Sequence, residues 1–436
     1  CGFCGADARN PRGTADAATA ERRTDGNHLA ELGGDGGMSW KKAKLSECCQ
    51  SISDGDHQAP PKSNKGIPFV TISNIKDNSF DFTNCMHVPQ SYYDNLLAKR
   101  KPQKGDILYS VVGSFGIPVL IKENVKFTFQ RHIAILRPNP HIVEPAYMYY
   151  SMLSKAFFLQ ADAAAIGAAQ RTISLSSLQN LTINLPDLPT QRRIASILSA
   201  YDDLIENNRR QIKLLEEAAQ RLYREWFVEL RFPGHEGVKV VDGVPEGWMK
   251  STVDNIVKLL SGYPFKSSEY VSSGKYRLIT IKNVKDGEFS PDNVDYIDQL
   301  PDKVPSHCIL TEGDILLSLT GNIGRVCIVN GYNYLLNQRV AKLQTLHPAY
   351  AYCMFRSKEM LNKMTALSNG VAQQNLSPIR AEKIRILIPS SNLLSQFKNI
   401  VEPIISQIIL LNNQITFACE ARDRLLPELM DGEMEV

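Results

Sequence analysis

Nowhere does this chain carry the roughly 20 consecutive apolar residues that a membrane-crossing helix needs, although 43% of its 436 residues are hydrophobic. A helical membrane protein is therefore excluded, and the 22% of charged residues fits a globular protein of two or three domains. Ordered cysteine pairs are missing as well. The nine cysteines are odd in number and scattered, and the adjacent Cys48-Cys49 makes a poor disulfide framework, so a reducing, cytoplasmic setting is expected. Cys1 and Cys4 stand alone as one Cys-x-x-Cys, without the second pair a zinc site requires. A strong charge of either sign is also absent: the net charge of +3 neither demands nor forbids a polyanionic partner.

Catalytic signatures are lacking too. An amino-methyltransferase needs Asn, Asp or Ser before Pro-Pro-aromatic, but the one Pro-Pro here, Pro60-Pro61, lies between Ala59 and Lys62. The lone Gly-Lys, Gly274-Lys275, runs into Tyr276 and cannot close a phosphate loop. Metal nucleases commonly place a carboxylate two positions before a lysine, and no Asp or Glu stands there in this chain. Catalysis by this chain is not expected, and neither a cofactor nor a metal site is assigned to it.

What is present is a repeat. Trp40-Lys41 returns as Trp248-Met249-Lys250, Thr71-Ile72-Ser73-Asn74 as Thr280-Ile281-Lys282-Asn283, and Gly105-Asp106-Ile107-Leu108 with Ser110, Gly113 and Gly116 as Gly313-Asp314-Ile315-Leu316 with Ser318, Gly321 and Gly324. Gln130-Arg131 matches Gln338-Arg339, Pro145-Ala146-Tyr147 matches Pro348-Ala349-Tyr350, and Ala169-Gln170 matches Ala372-Gln373. Gln191 and Asn207-Asn208 are matched to Gln396 and Asn412-Asn413. The displacement drifts only between 203 and 209 residues, the mark of a duplication. β-Branched runs predict strands at 69–72, 106–112, 132–136 and 181–185, with counterparts at 279–284, 314–319 and 384–388.

Each half ends in a predicted long helix. Ile194, Leu198, Tyr201, Ile205, Asn208, Ile212, Leu215, Ala219, Leu222 and Trp226 alternate steps of four and three, a heptad seam. Phe397, Val401, Ile404, Ile408, Leu411, Ile415, Ala418, Arg422, Leu425 and Leu429 do the same. Asn208 and Arg422 interrupt the seams as register-setting polar residues, and Pro403 is expected to kink or delay the second helix. A seam this long calls for a partner helix, which the other repeat supplies. The fold class expected is α+β: two similar mixed-sheet domains separated by two long antiparallel coiled-coil helices. The boundaries read as a disordered or non-native leader over 1–37, a first domain over 38–189, a central helix over 190–230, a linker over 231–247, a second domain over 248–391 and a C-terminal helix over 392–436.

At Leu188-Pro189-Thr190-Gln191-Arg192-Arg193-Ile194, running into Asp202-Asp203-Leu204-Ile205-Glu206-Asn207-Asn208, the sequence resembles the central region of type I restriction-modification specificity subunits. Arg224-Glu225-Trp226-Phe227, followed by Gly243-Val244-Pro245-Glu246-Gly247-Trp248, is similar to that family's passage into its second recognition domain. The resemblance extends from Met38 to the C-terminus. It implies two recognition domains, each reading half of a bipartite double-stranded DNA target, and helices that act as spacer and dock modification subunits. Those subunits would bring S-adenosylmethionine chemistry on adenine, and a separate motor-nuclease subunit would bring ATP, Mg and cleavage. A stand-alone tandem-repeat DNA-binding regulator, or an interaction scaffold, is the alternative.

Polar side chains suited to base edges and phosphates give the DNA-contact candidates. They are Ser110, Ser114, Gln130, Arg131, Gln170 and Arg171 in the first half, and Ser318, Thr320, Asn322, Arg325, Gln338, Arg339, Gln373 and Gln374 in the second. Halves that read different sequences must differ at base contacts. Arg171 against Gln374, and Ser114 against Asn322, are accordingly better base readers than the repeated pairs. Spacer and partner-binding candidates are Gln191, Ile194, Leu198, Ile205, Asn208, Ile212, Leu215, Gln396, Ile404, Ile408, Leu411 and Ile415. With about 3.4 Å per base pair, roughly 50 Å of central helix caps the separation of the readers at about fifteen base pairs.

Overall fold

The computed structural model describes residues 40–55, 57–76, 78–167, 170–368, 375–434 and 436. The 1–37 segment, with Cys1 and Cys4, lies outside them, as does Met38. The chain divides into two compact units, one taking residues up to Asp202 together with Cys419–Val436, the other taking Asp203–Ala418.

Both units are built alike. In the first, four antiparallel strands lie in the order Cys49–Asp54, Ile133–Pro138, Ile107–Ser110, Pro118–Leu120. The second repeats that order with Lys258–Ser261, Val340–Gln344, Ile315–Ser318 and Val326–Ile328. A second small sheet accompanies each, and it joins one parallel pair: Ile67–Val70 with Thr128–Phe129, and Tyr276–Ile279 with Tyr334–Leu336. The middle strands Ile107–Ser110 and Ile315–Ser318 are buried at every residue, which explains their unbroken apolar run rather than an alternating one.

Two expected strands end earlier than the β-branched run implied. Ile67–Val70 and Tyr276–Ile279 stop before Thr71 and Thr280. In each case the Asn three residues on accepts both the threonine backbone N–H and its hydroxyl, Asn74 at 3.0 and 2.9 Å and Asn283 at 2.9 and 3.0 Å. The repeated Thr-Ile-x-Asn is thus a turn clamp, and a side chain that satisfies the backbone locally ends the ladder.

The long helices are Leu188–Tyr223, continued by a π-turn over Arg224–Val228, and Ser391–Asp431. In the first unit Ile194, Leu198, Leu426, Leu429 and Met430 enter one core, and Arg422 meets Asp202 at 2.7 Å. In the second, Asn208 donates to Gln414 at 3.0 Å while Trp226 lies 5.8 Å from Phe397, so the helices run antiparallel. Ile205, Ile408 and Leu411 are buried, and Ile212, Leu215, Ile404 and Ile415 are half-buried along the same seam.

Two readings of the helices need correction. Ser391–Asp431 begins well before Pro403 and passes through it without a break, so the proline does not delay the helix. Both Pro403 and Asn399, the residue whose carbonyl the missing N–H would have met, are exposed. Moreover, Gln191 and Gln396 are not counterparts. Gln191 is buried, accepting from the Glu144 N–H at 2.8 Å and donating to the Pro186 carbonyl at 2.8 Å, whereas Gln396 is exposed. Burial aligns the helices at a displacement of 203, pairing Leu198 with Val401, Ile205 with Ile408 and Trp226 with Leu429. Asn208 therefore corresponds to Leu411, not Asn413.

Candidate nucleic-acid interface

In each unit the end of the buried middle strand feeds a glycine loop. Ser110 is fully buried; its Oγ accepts the Ile117 N–H at 2.9 Å and its carbonyl accepts the Gly116 N–H at 2.9 Å. Ser318 is likewise fully buried, with Oγ accepting the Arg325 N–H at 3.0 Å and donating to the Asn322 carbonyl. Both hydroxyls are committed to closing their loops. Gly116 and Gly324 sit at φ of +90° and +80°. A Cβ there would meet the Phe158 ring at 2.8 Å or the Leu361 side chain at 2.6 Å, so glycine is required for the chain to turn over the next helix.

Two further loops meet this one. The Val111 N–H donates to the His132 carbonyl at 2.9 Å and the Gly113 N–H to the Arg171 carbonyl at 3.0 Å. In the second unit the Leu319 N–H donates to the Arg339 carbonyl at 2.9 Å and the Leu376 N–H to the Leu319 carbonyl at 2.8 Å. The Gln-Arg loops are held by close backbone approach. A Cβ on Gly55 would stand 2.2 Å from the Phe129 carbonyl, and one on Gly262 2.1 Å from that of Asn337. Residues distant in sequence are in this way collected into one three-loop cluster per unit. Gln373 and Gln374, with Ala169 and Ala372 of the repeat, lie outside the described residues.

The cluster sorts its candidates by exposure. Ser114, Arg131, Gln170 and Arg171 are exposed and Gln130 is half-buried; in the second unit Asn322, Gln338 and Arg339 are exposed and Arg325 is half-buried. Thr320 is buried and donates to Asn375 Oδ1 at 3.0 Å. Arg171 is held from two sides, by Asp162 at 3.1 Å and by the Phe115 ring 6.0 Å from its guanidinium. Phe115 in turn stacks on Phe158, with ring centroids 5.7 Å apart. Neither Asp162, the stacked rings nor Asn375 was signalled by the sequence, because each becomes a neighbour only through the fold. Asn322 and Arg325 also meet, the guanidinium donating to the Asn322 amide oxygen at 3.1 and 3.2 Å. Beside Arg131, His132 is held below its ordinary pKa by burial and then by the arginine charge.

An open groove in the second unit runs between Gly262, Gln338, Arg339, Asn375 and Ser377. Such a surface offers amides and a guanidinium at the ends of rigid strands, the inventory base edges and phosphates call for. No group of His, Cys, Asp and Glu able to hold a metal ion is found among the described residues.

Residues 38–217 and 245–417 each match the family model for the type I restriction modification DNA specificity domain. The chain belongs to the type I restriction-modification specificity family. The MjaIX specificity subunit of Methanocaldococcus jannaschii is 28% identical over 345 residues, covering 76% of this chain and 78% of that protein. The HindI specificity subunit of Haemophilus influenzae is 22% identical, covering 91% and 99%. A crystal structure of the type I restriction-modification S subunit from M. genitalium superposes with a TM-score of 0.57 at 18% identity, over 92% of this chain and 98% of that one. As a specificity subunit, the chain is a non-catalytic member of its enzyme class. No helix among its described residues is long and apolar enough to cross a membrane.

Proposed function

We propose that this specificity subunit reads a bipartite double-stranded DNA target, one half through the three-loop cluster of each unit. On this reading it directs adenine methylation or cleavage by partner subunits. The observation that carries the reading is the double construction of the cluster: the shared Ser110 and Ser318 close their loops, the shared Gln-Arg pairs put Arg131 and Arg339 at the surface, and Ser114 and Asn322, where the halves differ, are exposed. Two copies of one frame with different exposed residues suit the reading of two different short sequences. The long helices would serve as spacer and as docking ground for modification subunits carrying S-adenosylmethionine, with ATP and Mg confined to a motor-nuclease subunit.

The test is to express the chain with its modification partners in cells and map methylated adenines across the genome. A split motif with an unread gap is expected. A continuous motif would reject two-reader recognition, and tight sequence-specific binding by the chain alone with no partner-dependent methylation would favour the stand-alone regulator.

A further inference from the structure

Because burial relates the two long helices at a displacement of 203 residues, any contact between them has a counterpart at the other end of the pairing. Asp202 and Arg422, 16% and 19% exposed, form an ion pair at 2.7 Å, and Asp202 also accepts the Tyr150 hydroxyl at 2.7 Å. The counterpart positions are Ala219 and Ile405, and both pack into the apolar core of the second unit. Glu216 presents the same asymmetry. Its carboxylate, buried in the second unit, bonds Tyr352 and Arg356. The counterpart of Glu216 is Cys419, and those of Tyr352 and Arg356 are Tyr149 and Leu153, none of them a charged residue. Each end therefore carries buried charge where the other end is apolar or neutral.

We propose that these two clusters are a pairing code: helix Leu188–Tyr223 accepts helix Ser391–Asp431 and rejects a second copy of itself, and the reverse holds for the C-terminal helix. Were two copies of the first helix to pair in this register, Ala219 would replace Arg422 opposite Asp202, and Glu216 would enter the site of Tyr149 and Leu153 without a guanidinium. Two copies of the second would set Arg422 against Ile405 and Arg356 against Cys419, leaving these arginines only their exposed acidic neighbours, Asp423 and Asp286. Every like pairing takes a charged group away from its least exposed charged partner, whereas the unlike pairing keeps all of them. The ordinary consequence of a duplication, two halves free to assemble with themselves, is thereby suppressed.

A protease site inserted into the exposed Asp242-Gly243 turn allows the folded full chain to be nicked between its halves. After the nicked protein is unpaired in denaturant and re-paired by dilution, native mass spectrometry distinguishes unlike from like assemblies by mass. Unlike pairs should exceed like pairs by at least about tenfold, equivalent to about 1.4 kcal/mol. In a D202I/R422A chain, which copies the apolar counterpart onto the charged end, that excess should shrink. Equal proportions of like and unlike pairs in the unaltered sequence would overturn the proposal. If nicked halves do not re-pair, the uncut chain decides. D202I and R422A should each lower the denaturation midpoint more than the double substitution does, and additive losses would reject the code.

Discussion

Replacing Asp106 or its counterpart Asp314 by asparagine separates two versions of one buried interaction. Asp106, 2% exposed, accepts the Gln103 N–H at 2.8 Å and takes Arg137 in a two-pronged grip, Nε at 2.9 Å and Nη2 at 2.8 Å. Asp314 accepts the Thr311 N–H at 2.8 Å but meets Lys342 through one bond at 2.7 Å, with side chains 13% and 19% exposed. Asp106→Asn leaves a guanidinium against Asp106's former site with neutral acceptors only, including the Lys101 carbonyl at 3.0 Å. Removing one partner of a buried pair costs about 3–5 kcal/mol, so a loss in that range is expected. Asp314→Asn forfeits one charged hydrogen bond in a wetter place, about 1–3 kcal/mol. Denaturant titration measures the two losses, and hydrogen exchange at the amides of Ile107–Ser110 and Ile315–Ser318 assigns each to its unit. Equal losses, or Asp106→Asn loosening Ile315–Ser318 as much as Ile107–Ser110, would refute the reasoning.

Arg171→Ala should relax or weaken one half of the methylated motif and leave the other intact; equal change in both halves, read by methylation mapping, would mean a fold defect instead. Inserting seven residues after Asn208 together with seven after Asn413 keeps both seams in phase and adds about 10 Å of helix. The unread gap should then grow by about three base pairs, and an unchanged gap with strong binding would remove the helices as ruler. Burial pushes the Glu216 carboxyl above its ordinary value of 4.5, against the pull of Arg356 and the Tyr352 hydroxyl, with Asp286 adding to the rise. A raised folded value favours the folded state at low pH, and that contribution is lost as pH rises from 4.5 through the raised value. Relative to Glu216→Gln, the wild-type midpoint should therefore fall across that window; a midpoint difference that does not vary with pH would refute this.

The duplication and both helices were legible because each rests on local periodicity or on letters repeated in order. Identity of letters misleads where it competes with burial. Asn207-Asn208 and Asn412-Asn413 look alike, yet the core contacts set the register two residues away. Pro403 does not delay its helix, which begins twelve residues earlier at Ser391, and sequence does not reveal that Pro403 is exposed. Of the contact candidates, Ser110, Ser318 and Thr320 carry the right groups, but the fold spends those groups on the loops. Interactions across long stretches of chain, such as Glu216 with Arg356, leave no local trace at all.

The first unit borrows one wall from more than 200 residues downstream: Leu426, Leu429 and Met430 are buried in its core, and Asn184 donates to the Met430 carbonyl at 3.0 Å. On a ribosome adding about 5–20 residues per second, the chain made up to Asp202 waits about 10–45 seconds for those residues to be synthesised. Throughout that interval the surface they will cover is open. A nonsense codon at position 419 would remove no residue of the second unit, yet it would unroof the first. The unit that leaves the ribosome first is the one finished last.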